Sequence, residues 1–142
     1  MIPEPTDVLS YAYLWDHEAR RGEVDGRKDR PVVVVIARKM VGEETELLVV
    51  PVTTQPPQNP ADAFELPHRV KMHLGLDAAR CWIMITEVNR FTWPGPDIRP
   101  MTRGDATTPY YGFLPEQVFA PVLAAVITRL RAGRMRVTKR GE

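Results

Sequence analysis

Hydrophobic and polar positions change period several times along this chain, and each change marks an element. Over residues 7–15 apolar side chains alternate with others and place Tyr11, Tyr13 and Trp15 on one side, which predicts a first strand. Residues 17–29 are polar, contain Gly22 and Gly26, and predict a charged loop long enough to carry function. The run over 31–37 is continuously apolar and β-branched, the pattern of a central strand covered on both faces. A turn around Gly42 over 41–46 then leads into an apolar run over 47–53, predicting a hairpin of two buried strands.

Gln55-Pro56-Pro57-Gln58-Asn59-Pro60 cannot continue a strand, because three prolines remove donors and restrict the backbone. Beyond it the pattern predicts a short strand over 63–66, a helix or turn over 70–74 ended by Gly75, a strand over 82–86 and a looser strand over 88–93. Pro94-Gly95-Pro96 ends that stretch. From 114 to 131 apolar residues fall at three-and-four spacing, as in an amphipathic helix, with Pro115 in its first turn and Gly133 past its end. Pro121 is expected to bend it near Gln117 or Val118. The basic tail, residues 134–142, is expected to be frayed and flexible. Five or six short strands and one closing helix predict a mainly β (α+β) fold: one domain over 1–142, a small, strongly curved antiparallel sheet or half-barrel with the helix packed on it.

Composition narrows the class. With 142 residues and 44% hydrophobic content the chain can bury a core without staples. A single cysteine, Cys81, excludes an internal disulfide and a cysteine-based zinc site, and its place at a strand entrance favours a buried structural thiol. The first residues lack the basic and apolar regions of a signal peptide, and no apolar stretch is long enough to span a bilayer, so a cytoplasmic protein without membrane contact is expected. The formal charge of +1 hides a bias: lysine occurs only at positions 28, 39, 71 and 139, and the remaining basic residues are arginines, most of them grouped over 20–30, 99–103 and 129–140. Such grouping can build a basic face suited to a polyanion, although for the C-terminal group solvated surface charge is the favoured reading.

The most pointed feature is Gly26-Arg27-Lys28-Asp29-Arg30-Pro31 running into the buried strand. Pro31 suits a strand start, which holds Arg30 at a rigid boundary between exposed loop and core. A guanidinium there offers a planar fork of donors to a phosphate or carboxylate, or else caps the sheet edge through a salt bridge. If the two buried strands pair through the turn near Gly42, Pro31 falls opposite Val52 or Thr53, so Arg30 and Thr53 meet at one open end. An arginine and a hydroxyl converging beneath two polar loops can bind a phosphodiester and stabilise charge on its oxygens.

The motifs Gly22-Glu23-Val24-Asp25-Gly26, Arg30-Pro31-Val32-Val33-Val34-Val35 and Pro51-Val52-Thr53-Thr54-Gln55, in that order and spacing, resemble the MazF/PemK group of type II toxins. The resemblance covers residues 8–55. It implies a small SH3-like antiparallel barrel with a C-terminal helix, and a homodimeric endoribonuclease that cleaves single-stranded RNA without metal and is restrained by a cognate antitoxin protein. It further implies attack of a ribose 2′-hydroxyl on its own phosphate, giving a 2′,3′-cyclic phosphate. By the same resemblance Arg30 stabilises the transition state, Thr53 positions the phosphate, and Glu23 stands where some members carry a histidine, as a candidate proton carrier. Arg90 matches the arginine of the family's third strand.

Around these, Arg27, Lys28, Thr54 and Gln55 are candidate substrate contacts, and Trp15 and Trp93 are candidates to stack unpaired bases, whereas Trp82 should be core. His17 is the histidine best placed for proton transfer. His17, His68 and His73 show no metal-ligand spacing, and no metal or other cofactor is expected. The competing expectations are a non-catalytic SH3-like module that binds nucleic acid or protein, and a topoisomerase-poisoning toxin of the same fold.

Overall fold

A computed structural model describes residues 2–141. Its backbone is mainly β, with ten strands and three α-helices among the described residues. The principal sheet has eight strands. β1 (Asp7–Tyr11), β2 (Arg30–Lys39) and β3 (Thr45–Thr53) form its antiparallel centre. β9 (Tyr110–Phe113) adds to β1, while β6 (Glu87–Trp93) and β10 (Arg136–Lys139) follow on the far side of β3. The path ends at β10 and β9 without meeting, so the sheet is open and not a closed barrel.

β3 is buried along its whole length because two partners share one of its edges. Its first half pairs β6 and its last two residues pair β5 (Trp82–Met84), which also holds β4 (Ala63–Glu65). β2 is covered on both faces, as its unbroken apolar run predicts. Val33 and Val35 join Phe119, Val122 and Val126 of α3 (Glu116–Arg131), whereas Val32 and Val34 face Leu9, Tyr11, Tyr13 and Phe91. Burial of a valine, leucine or phenylalanine side chain contributes about 1.5–3 kcal/mol, so these two layers dominate the folding energy. α3 runs through Pro121 and ends before Gly133, whose φ of +69° is the left-handed geometry glycine tolerates. Pro115 lies at its N-cap, one place before the first turn.

Several expected boundaries move. The first strand stops at Tyr11, not Trp15, because the following backbone leaves the ladder for side chains of β6: Leu14 N–H donates to Asn89 Oδ1 (2.9 Å) and Asp16 N–H to Glu87 Oε1 (2.9 Å). The loop after it opens with α1 (Asp16–Arg20), whose Glu18 carboxylate accepts the Trp15 N–H at 3.0 Å. α2 is the short segment His68–His73. β7 (Met101–Arg103) and β8 (Ala106–Thr108) form a hairpin of their own, and with β9 they were not anticipated, since short mixed-polarity strands carry little periodicity.

The largest correction concerns the C-terminus. The expected flexible tail contains β10, which pairs β6 in parallel, so the sheet is not purely antiparallel. Arg140 is only 3% exposed. It donates to Ala12 O (2.7 Å) and Asn89 Oδ1 (3.0 Å) and pairs with Asp97 (2.8 Å), partners that burial of a cation demands.

Candidate functional site

β2 begins at Arg30, opposite Tyr11 of β1. On its other side Val32 faces Pro51, and that register, carried two residues on, brings Arg30 level with Thr53. Pro31 gives up a ladder donor here, next to the loop, where the loss is tolerated. Arg30 and Thr53, with Lys28 and Thr54, line two adjoining clefts of about 200 Å3 and about 460 Å3.

The larger cleft runs between α1 and the proline loop. Trp15, His17 and Glu18 form one wall, Gln55, Pro56 and Pro57 the other. The smaller cleft is bounded by Asp29, Leu76, Asp77 and Tyr111, and includes the buried Cys81, whose thiol burial holds above its ordinary pKa. The four shared residues therefore form a divide with space on either side.

Arg30 has an unusual setting. Its guanidinium carbon lies 5.0 Å from the centroid of the Trp15 ring, yet its buried Nε has no hydrogen-bond partner. Desolvation is the main cause that holds its pKa below the ordinary arginine value, and the nearby Glu18 carboxylate acts in the opposite direction. A buried donor without an acceptor costs about 1–3 kcal/mol. Thr53 is oriented differently: its Oγ accepts the Gln55 N–H at 3.1 Å, which leaves the hydroxyl hydrogen free to donate. The geometry thus presents a charged donor and a neutral donor to one oxyanion.

Glu18, not singled out by the sequence, is 3% exposed and is the carboxylate of the larger cleft. Besides capping Trp15 it lies 3.2 Å from Arg27 Nε. Only its place in the first turn of a helix too short for periodicity to reveal could have drawn attention to it.

Four expected site residues lie elsewhere. Glu23 lines neither cleft; Arg27 binds its carboxylate through two hydrogen bonds (3.0 and 2.9 Å), the main reason its pKa is below the ordinary value. A carboxylate so paired is a weaker base than a free one. Arg27 is itself occupied by Glu23 and Glu18, outside both clefts. Arg90 and Trp93 sit on β6: Arg90 lies 3.7 Å from Glu46, and Trp93, expected to be exposed, packs against the layer around Tyr11 and Phe91. Cross-strand pairing with β3 draws both away from the open end. Trp15, Lys28, Thr54 and Gln55 do line the larger cleft.

The α1 wall is held from behind by buried polar groups. Tyr13 donates its hydroxyl to Glu87 (3.1 Å), Asn89 Nδ2 donates to Leu14 O (2.8 Å), and Arg140 reaches Ala12 O. Gly26 closes the loop against the same backbone: a Cβ there would lie 2.6 Å from the carbonyl oxygens of both Ala12 and Tyr13. Among the described residues no three His, Cys, Asp or Glu side chains gather as metal ligands, and no helix is long and apolar enough to cross a membrane. No family model, curated protein or solved structure matches this chain.

Proposed function

We propose that this chain is an endoribonuclease acting on single-stranded RNA, the toxin of a toxin–antitoxin pair, cytoplasmic and working as a homodimer restrained by its cognate antitoxin. The MazF/PemK-like motifs suggest the reading, and an SH3-like origin of the β1–β2–β3 meander, with α3 across one face, belongs to it. One observation carries it: the Arg30 side chain, which has no carboxylate partner among the described residues, lines both clefts together with Thr53, an arginine and a hydroxyl suited to a phosphodiester with a nucleotide on each side.

In this reading the ribose 2′-oxygen attacks the adjacent phosphorus, the O2′–P bond forms and the P–O5′ bond breaks, and the departing 5′-oxygen takes a proton from water to leave as a hydroxyl. Arg30 and Thr53 hold the non-bridging oxygens as negative charge builds on them. His17, on the wall of the larger cleft, takes the 2′-hydroxyl proton in place of Glu23. Trp15 offers its ring to an unpaired base.

The test is incubation of RNA with the full chain in excess EDTA, followed by mapping of the ends. Cleavage leaving 2′,3′-cyclic phosphates, reduced about 10²–10³-fold in Arg30→Ala and more mildly in Thr53→Val, is expected. Cleavage abolished by chelation would refute the metal-free chemistry, and RNA bound but uncut would favour a binding module.

A further inference from the structure

A third cleft, of about 370 Å3, lies beyond the larger one and shares Pro56 and Pro57 with it. Arg80 and Trp82 line it, together with Glu65. Register ties it to the phosphate site: Trp82 is the partner of Thr53 on one side and of Glu65 on the other. Directly opposed residues point to one face of a sheet, so Thr53, Trp82 and Glu65 form a row across three strands. With strands about 4.8 Å apart, that row spans about 10 Å, near three stacked nucleotide steps of about 3.4 Å.

The Arg80 guanidinium is built as a flat platform. Its centre lies 5.1 Å from the Trp82 ring centroid, so one face is covered by an aromatic surface. Its edge is fixed by two bonds to Glu65, Nε to Oε2 at 2.8 Å and Nη2 to Oε1 at 2.7 Å. The side chain nevertheless remains 70% exposed. Glu65 already neutralises the cation and would repel a phosphate, whereas the π-face of a base stacks on a guanidinium plane without needing net charge.

We infer that Arg80, held flat by Glu65 and backed by Trp82, is a base-stacking subsite for single-stranded RNA, a few nucleotides along from the phosphate at Arg30 and Thr53. The subsite rests on the RNA reading above and adds a second point of contact. It should tolerate any base, since every base has a π-face.

The experiment measures anisotropy of a labelled 12-nucleotide single strand of random sequence, fully 2′-O-methylated so that it cannot be cut. Arg80→Ala and Arg80→Lys are both expected to weaken binding about tenfold, because the ammonium keeps the charge but has no plane. The salt dependence of the affinity should keep its slope in Arg80→Ala, since stacking releases no counterion from a phosphate. An unchanged Kd in Arg80→Ala, with the wild type binding, overturns the subsite alone. So does full affinity in Arg80→Lys, or a salt slope shallower by about one, which marks a phosphate contact. Failure of the wild type to bind the strand overturns the RNA reading and the subsite with it.

Discussion

The Arg30 guanidinium rests 5.0 Å over the ring of Trp15, and no carboxylate among the described residues lies within ion-pair distance of it. Its charge is held by a π-face and left available to a ligand. Trp15→Ala should therefore weaken binding of a single-stranded RNA about tenfold, through loss of base stacking and of the surface that orients Arg30. Trp15→Phe should retain most of the affinity. Titration by anisotropy, beside thermal unfolding to confirm an intact fold, checks both.

Arg140 should be among the most sensitive positions for stability. Its removal strands the buried Asp97, left with Arg99 at 4.0 Å, and orphans the Ala12 carbonyl. Breaking a buried pair from one side costs about 3–5 kcal/mol, and Arg140→Ala is expected to lose that much in urea unfolding. Asp97→Asn in the same chain should recover part of the loss, because it removes the uncompensated charge.

Glu87 gives a pH dependence with a definite sign. Burial is the main cause that lifts its carboxyl above the ordinary value of 4.5, against the opposing hydrogen bonds from Asp16 N–H and Tyr13. A raised value means that the folded state holds the proton more tightly than the unfolded chain. Stability from this group is thus full below pH 4.5 and declines as pH climbs through the folded-state value. Glu87→Gln keeps an acceptor at Oε1 and never ionises, so its stability relative to wild type should rise over that interval. Urea midpoints measured from pH 4 to pH 8 test the direction.

Gly26→Ala should damage the site without touching ligand. The added methyl would sit 2.6 Å from two backbone oxygens that no rotamer change can move, so the loop must shift at a cost of about 1–3 kcal/mol. Lower unfolding temperature and weaker RNA binding are expected together. Gly141→Ala, which meets open space, should change neither.

Much of the scaffold is legible in the residues themselves. The valine run of β2, the proline stop after Thr53 and the spacing of α3 are local patterns, and each is borne out within a few residues. The meeting of Arg30 with Thr53 at one end follows from hairpin pairing, a short-range rule. Glu23 shows where that logic runs out, because its nearest cation, Arg27, neutralises it in the folded loop.

What the sequence determined by itself was therefore the alternation of buried and exposed segments, and with it the hairpin that carries an arginine and a threonine to one rim. Tertiary structure alone decided that the basic tail becomes a strand with a buried arginine, that Glu18 and not Glu23 enters the cleft, and that Trp82 lies between Thr53 and Glu65. The physical reason is range. Periodicity and proline act over a few residues, whereas a buried charge or polar group takes whichever partner the folded chain brings within hydrogen-bond reach, as Arg140 does with Ala12, 128 positions away.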